Sequence, residues 1–142
     1  MTFIDTYFEV IEKLEEKLRS MENNDGSKTF DQVITGRKVA PTRYPAVLIY
    51  PDAIPMRAAT TAYTERSMTF TIVVVGKKAD IREGFEEVLR LVWRIGEMLE
   101  DDRSFEGLVD RLEIDYLTPE VERPRVIDRH EASLTVTFYK IC

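Results

Sequence analysis

A chain of 142 residues, 44% hydrophobic and 32% charged, fits one domain with a real core and falls outside the disordered and membrane classes. Its formal net charge of −6 argues against a general nucleic-acid binder, whose phosphate contacts need clustered Lys and Arg. An acidic wall can still surround DNA without gripping it, because weak repulsion lets a polyanion slide. The lone cysteine, Cys142, excludes an internal disulfide and a multi-cysteine metal site, and a reducing, cytosolic setting is the simplest reading. Met1 to Val10 carries acids and no bases, unlike a secretory signal. No apolar run approaches the ~20 residues of a membrane helix.

In chain order, Ile4, Tyr7, Ile11, Leu14, Leu18 and Met21 recur in steps of three and four and predict an amphipathic helix over Phe3 to Met21. Glu9–Lys13 and Glu15–Arg19 have the favourable order for helical ion pairs. Asn23 to Ser27 ends the helix with turn formers. Thr29 to Gly36 is a weak strand candidate. Arg37 to Pro45 reads as an exposed loop. Ala46 to Tyr50, an apolar run between Pro45 and Pro51, predicts a short buried strand. Pro51 to Ala62 is apolar yet broken by proline, which suits an arm packed on a neighbour better than a self-buried loop. Tyr44 to Ala62 is therefore the segment with the best claim to an interaction role, and an internally packed meander is its alternative.

Ser67 to Val75 alternates small polar with large apolar residues, and Ser133 to Ile141 repeats the pattern. That is the period of a half-buried strand. The first strand is placed at Tyr63 to Val75, broken by Gly76, with Met68, Phe70, Ile72 and Val74 on one face and Thr69, Thr71 and Val73 on the other. Pairing with the second would bury those four alongside Leu134, Val136 and Phe138. Between them, Asp80 with Glu83 predicts a capped helix start. The helix runs over Ile81 to Glu100, its stripe Ile81, Phe85, Val88, Val92, Ile95 and Leu99 widened by Leu89, Leu91, Trp93 and Met98. Gly84 and Gly96 each cost up to ~1 kcal/mol relative to Ala there, which close packing would justify. Asp101 to Ser104 makes a turn, Leu108 to Leu117 is a strand, and Thr118 to His130 is a long exposed connection. The sum is an α+β domain over residues 1–142: an antiparallel or mixed sheet with two helices on one face.

No constellation in the chain carries a recognisable chemistry. The six glycines form no phosphate loop, and there is no nucleophile elbow. The single histidine, His130, sits in a charged segment and reads as a solvated strand-start residue; a zinc site would need further soft ligands. Glu97, Glu100, Asp101 and Asp102 crowd a helix C-terminus, where acids oppose the helix dipole. This is either a solvated charge run or a site for a divalent metal or a basic partner. Arg37-Lys38, Lys77-Lys78 and Arg123-Pro124-Arg125 lack the interleaved aromatics of single-strand binders, and Lys77-Lys78 is placed to keep a strand edge soluble. No catalytic, cofactor or metal residue is assigned.

The layout resembles the tail-terminator (tail-completion, minor tail) proteins of long-tailed bacteriophages and prophages. The resemblance is carried by the N-terminal helix, the Tyr44-Pro45-Ala46-Val47-Leu48-Ile49-Tyr50-Pro51 segment similar to a Pro-Ala-Val strand, and the Thr-rich long strand. It continues through the Asp-capped helix Asp80 to Glu100, Leu108-Val109-Asp110, and the alternating final strand. It spans roughly Phe3 to Ile141 and includes no catalytic motif. It implies a virion structural protein assembled in the host cytoplasm into a homohexameric ring that caps the tail tube and stops its growth. The implied partners are the tail-tube protein and a head-completion or neck protein, with DNA passing through without specific binding and no membrane. On this resemblance Ile54, Pro55, Met56, Arg57, Ala58 and Ala59 would form a subunit-bridging arm. Six copies at −6 each total about −36, suited to a bore that does not retain DNA. The alternatives are a small α+β enzyme or metal- or ligand-binding domain using the Glu97–Asp102 carboxylates, or another head–tail neck protein.

Overall fold

The computed structural model describes residues 3–36, 40–52, 65–117 and 129–141, with the side chains of residues 116 and 117 excluded. Its elements are α1 (Phe3–Ser20), β1 (Gln32–Thr35), β2 (Ala46–Pro51), β3 (Glu65–Lys77), α2 (Ile81–Glu100), β4 (Arg111–Leu117) and β5 (Arg129–Ile141). One sheet has the order β1-β2-β3-β5-β4. The β1–β2 pair is parallel and the other pairs are antiparallel. This is an α+β fold with a mixed sheet and both helices packed against it.

The two matched strands are neighbours at the centre of the sheet. Met68 faces Phe138, Phe70 faces Val136, Ile72 faces Leu134 and Val74 faces Ala132. Seven of these eight side chains are 0% exposed and Ala132 is 2% exposed. A one-residue slip would turn all of them out to solvent, so the alternating pattern itself holds the register. Each fully buried large side chain contributes roughly 1.5–3 kcal/mol relative to exposure. Val47 and Ile49 on β2 and Leu112 on β4 extend the same buried face.

Both helices cover that face. From α1, Tyr7 stacks on Phe70 at 5.5 Å between centroids. Phe70 meets Phe138 edge-on at 5.8 Å, and Phe105, in the turn after α2, tilts against Phe138 at 4.9 Å. From α2, Val88 lies so close to Gly76 that a Cβ there would sit 3.0 Å from its Cγ1. Gly76 therefore does not break the strand, as its residue type had implied. It stays in the ladder opposite His130 because its missing side chain lets α2 approach.

The start of α2 follows the sequence: the Asp80 carboxylate accepts from the Glu83 N–H at 2.9 Å. Its buried face follows the predicted stripe through Val88, Val92, Ile95 and Leu99 and departs from it at the first turns. Gly84, Val88, Leu91, Val92, Ile95, Gly96 and Leu99 are buried, whereas Ile81 and Phe85 are 63% and 42% exposed. Gly84 decides the rotation, because it is seated against the His130 ring. Phe85, one residue or about 100° further round the helix, is turned outward.

Two contacts tie α1 to the rest. Arg94 on α2 donates to the Glu22 carbonyl at 3.0 Å and to Asn23 Oδ1 and Thr29 Oγ1 at 3.4 Å each, clamping the turn after α1. Beyond α2, Phe105, Glu106 and Gly107 are all left-handed, with φ of 49°, 56° and 80°. For Phe and Glu this conformation costs roughly 1–2 kcal/mol each. Complete burial of Phe105 and a 2.7 Å bond from Glu106 N–H to Asp102 offset it. The turn delivers Glu106 to Lys13 at 2.8 Å and Lys17 at 3.5 Å. Lys13 thus reaches Glu106 and Glu16 rather than Glu9, while Glu15–Arg19 forms as expected at 3.3 Å.

Candidate assembly surface

With both helices on one side, the opposite face of the sheet carries the short polar residues of the alternation. Thr69 and Thr137 face each other, as do Thr71 and Thr135, and Val73 and Ser133. All six are half-buried. The two hydroxyls of Thr69 and Thr137 lie 3.1 Å apart, and Thr71 donates to Asp52 at 3.4 Å. Cross-strand Thr pairs of this kind contribute roughly 0.2–1 kcal/mol each. Towards β2 the same face carries Leu48, the register partner of Val73, and Val75, 6% and 1% exposed.

At one end of this face the register brings Arg111, Glu113, Tyr139 and Glu65 together. Arg111 reaches Glu113 at 2.7 Å and Glu65 at 3.1 Å. Its guanidinium lies 3.7 Å over the Tyr139 ring, and the Tyr139 hydroxyl donates to Glu113 at 3.0 Å. Burial, and then the Glu113 carboxylate, push the Tyr139 hydroxyl above its ordinary pKa. At the other end, Lys77 and Arg129 are register partners, and both lie over the Tyr44 ring, at 5.9 and 5.7 Å. Arg129 also donates to the Tyr44 hydroxyl at 2.7 Å. Neither cluster was legible in the sequence, since each depends on residues brought together by strand register. Arg111-x-Glu113 was the one local signal, two residues on the same face of a strand.

The predicted residues fall as follows. Ile54, Pro55, Met56, Arg57, Ala58 and Ala59 lie outside the described residues, as do Arg37-Lys38, Arg123 to Arg125 and most of the Thr118–His130 connection. Within Tyr44–Ala62, the described part is an internal strand: Ala46 to Ile49 are all buried. The Lys77-Lys78 reading is corrected, because β3 is central and not an edge; Lys78 instead pairs with Glu87 at 2.9 Å. His130 stands at the start of a strand as expected, but is less solvated than its charged neighbours implied. It is the second residue of β5, half-buried, with its ring against Gly84 and Nε2–H donating to the Lys78 carbonyl at 3.1 Å. It faces the helices, with the sheet between it and the acids of the open face.

The Glu97–Asp102 carboxylates do not converge. Glu97 accepts from the Trp93 indole at 2.7 Å, and Asp102 accepts from Ser104 and from the Glu106 N–H. Among the described residues no three His, Cys, Asp or Glu side chains are grouped to hold a metal ion. On the open face Arg111 is paired with Glu113 and Glu65, Lys77 and Arg129 lie side by side over Tyr44, and Asp115 and Glu131 are exposed. In comparisons with known proteins, the chain matches no family model and no curated protein.

Proposed function

We propose that the protein is a structural assembly subunit of the tail-terminator type, acting as a homohexameric ring that caps a tail tube and offers a joining surface to the head side. The observation that carries this reading is the one-sided architecture. Two helices and the core occupy one face of a five-stranded sheet, and the centre of the other face carries Thr69, Thr71, Ser133, Thr135 and Thr137, with the Arg111 cluster at one end and Lys77, Arg129 and Tyr44 at the other. Such a face suits packing against a neighbouring subunit or the tube, where protruding charged groups would be costly to desolvate. The order of elements, from the N-terminal helix through the Pro-Ala-Val strand, long Thr-rich strand, capped helix and alternating last strand, agrees with the layout of that family.

The mechanism is assembly. Head-to-tail contacts around a closed ring satisfy each subunit through two different surfaces. One ring face matches the tube and the other does not, so no further tube subunit docks and growth stops. Segment Ile54–Ala59 is assigned to the subunit-bridging arm on its sequence, and the acidic balance keeps DNA mobile in the bore.

The test is mass by light scattering with negative-stain images, of the protein alone and mixed with a tail tube. A six-membered ring with a central hole in either condition is expected, and deletion of Ile54–Ala59 should weaken it while the far-UV circular dichroism is unchanged. A monomer in both conditions, with tube length unaffected, overturns the proposal.

A further inference from the structure

The outward rotation of α2 leaves an apolar stripe that the core does not use. Ile81, Phe85, Leu89 and Trp93 follow one another at four-residue spacing along a single ridge of the helix. Ile81, Phe85 and Trp93 are 63%, 42% and 56% exposed, and Leu89 is half-buried against the core. Beside it run Arg82, Glu86 and Arg90, and Glu97 follows Trp93 on the ridge itself, all four exposed; Arg94, next in the flanking row, is turned to the loop after α1. Arg82 and Glu86 pair at 3.2 Å within the helix. Arg90 has no ion-pair partner among the described residues.

We infer that this ridge is a contact between two copies of the chain, related by a two-fold axis at Leu89. The charge order selects that occupant. When the ridge is laid antiparallel on itself about Leu89, Phe85 of one copy meets Trp93 of the other, and Leu89 meets its own counterpart. Arg82 then lies opposite Glu97, and Arg90 beside Glu86, each pair occurring twice as two-fold symmetry requires. A parallel pairing would instead set like charges side by side, which is repulsive. The i±4 ridge is the one that interdigitates in the commonest class of helix–helix packing. The contact lies on the helix layer and does not use the open sheet face, so it does not depend on the ring reading.

Trp93 is the chain's single tryptophan, so its fluorescence reports this contact directly. Between about 1 and about 500 μM protein, the emission should shift to the blue and sedimentation should show a monomer–dimer equilibrium. Phe85→Asp should weaken association by about tenfold or more, as loss of a central aromatic anchor does. Arg90→Glu, at an exposed position, should weaken it with no change in thermal melting of the monomer. Glu86→Arg combined with Arg90→Glu should restore it, because the swap preserves both cross-copy pairs. A protein that stays monomeric over this range, or a dimer indifferent to Arg90→Glu and to the swap, overturns the inference. Ring formation by Phe85→Asp with tail tubes distinguishes failure of this contact from failure of the terminator reading.

Discussion

Gly84 and His130 form the contact that sets how α2 sits on the sheet, and replacing the glycine tests it. A Cβ on Gly84 would fall within the His130 ring, 2.7 Å from Cγ and closer still to Cδ2 and Nε2. In Gly84→Ala the imidazole must leave its place, giving up its packing against α2 and its bond to the Lys78 carbonyl. Overpacking of this kind costs about 1–3 kcal/mol, while Ala in place of Gly in a helix interior contributes about 0.8–1.0 kcal/mol of stability. The net expected for Gly84→Ala is a loss of up to about 2 kcal/mol. In a His130→Ala background the obstruction is gone and the same substitution should stabilise, by up to about 1 kcal/mol. The sign therefore inverts, and the cycle yields a coupling of about 1–3 kcal/mol. Urea denaturation of the four proteins, followed by far-UV circular dichroism, measures it. Equal effects of Gly84→Ala in both backgrounds, within about 0.5 kcal/mol, would refute the view that the His130 ring is what requires glycine there.

Two further outcomes follow from the local geometry. Asp80→Ala removes the acceptor for the Glu83 N–H and should cost about 1 kcal/mol of stability, with Asp80→Ser retaining most of it, by chemical denaturation. The Glu106 carboxyl is held below its ordinary value of 4.5, first by the hydrogen bond from Lys13. Lys13 is held above 10.5, first by the same bond and then by Glu16. The Glu106 contribution is therefore present above pH 4.5 and lost as pH falls through its lower folded-state value; that of Lys13 is present below 10.5 and lost as pH rises through its higher one. The difference in Tm between the wild type and Glu106→Gln should be greatest near neutral pH, shrink at both extremes and shrink in high salt, since the pair is exposed. A difference independent of pH would remove the ion pair from the account.

The sequence by itself determined the elements and the faces they bury. Period-two alternation over Ser67–Val75 and Ser133–Ile141 dictates which side chains are inside, because a slip exposes every one of them. The Asp80 cap and the apolar run of Ala46–Ile49 are equally local signals, and both helices begin where their spacing predicts. The tertiary structure decided what depends on residues far apart in the chain. Strand order made β3 central, so Gly76 serves close packing and Lys77 does not guard an edge. Register brought Arg111, Glu113, Tyr139 and Glu65 into one cluster, and set Lys77 and Arg129 on Tyr44. The rotation of α2 turned on a single steric fact, the His130 ring against Gly84. Helical periodicity could not reveal it, because glycine carries no hydrophobic signal and its partner lies on another strand. The same contact leaves Phe85 outward, and Ile81 is exposed as the first residue of the helix; together they open the ridge on which the two-fold contact is inferred.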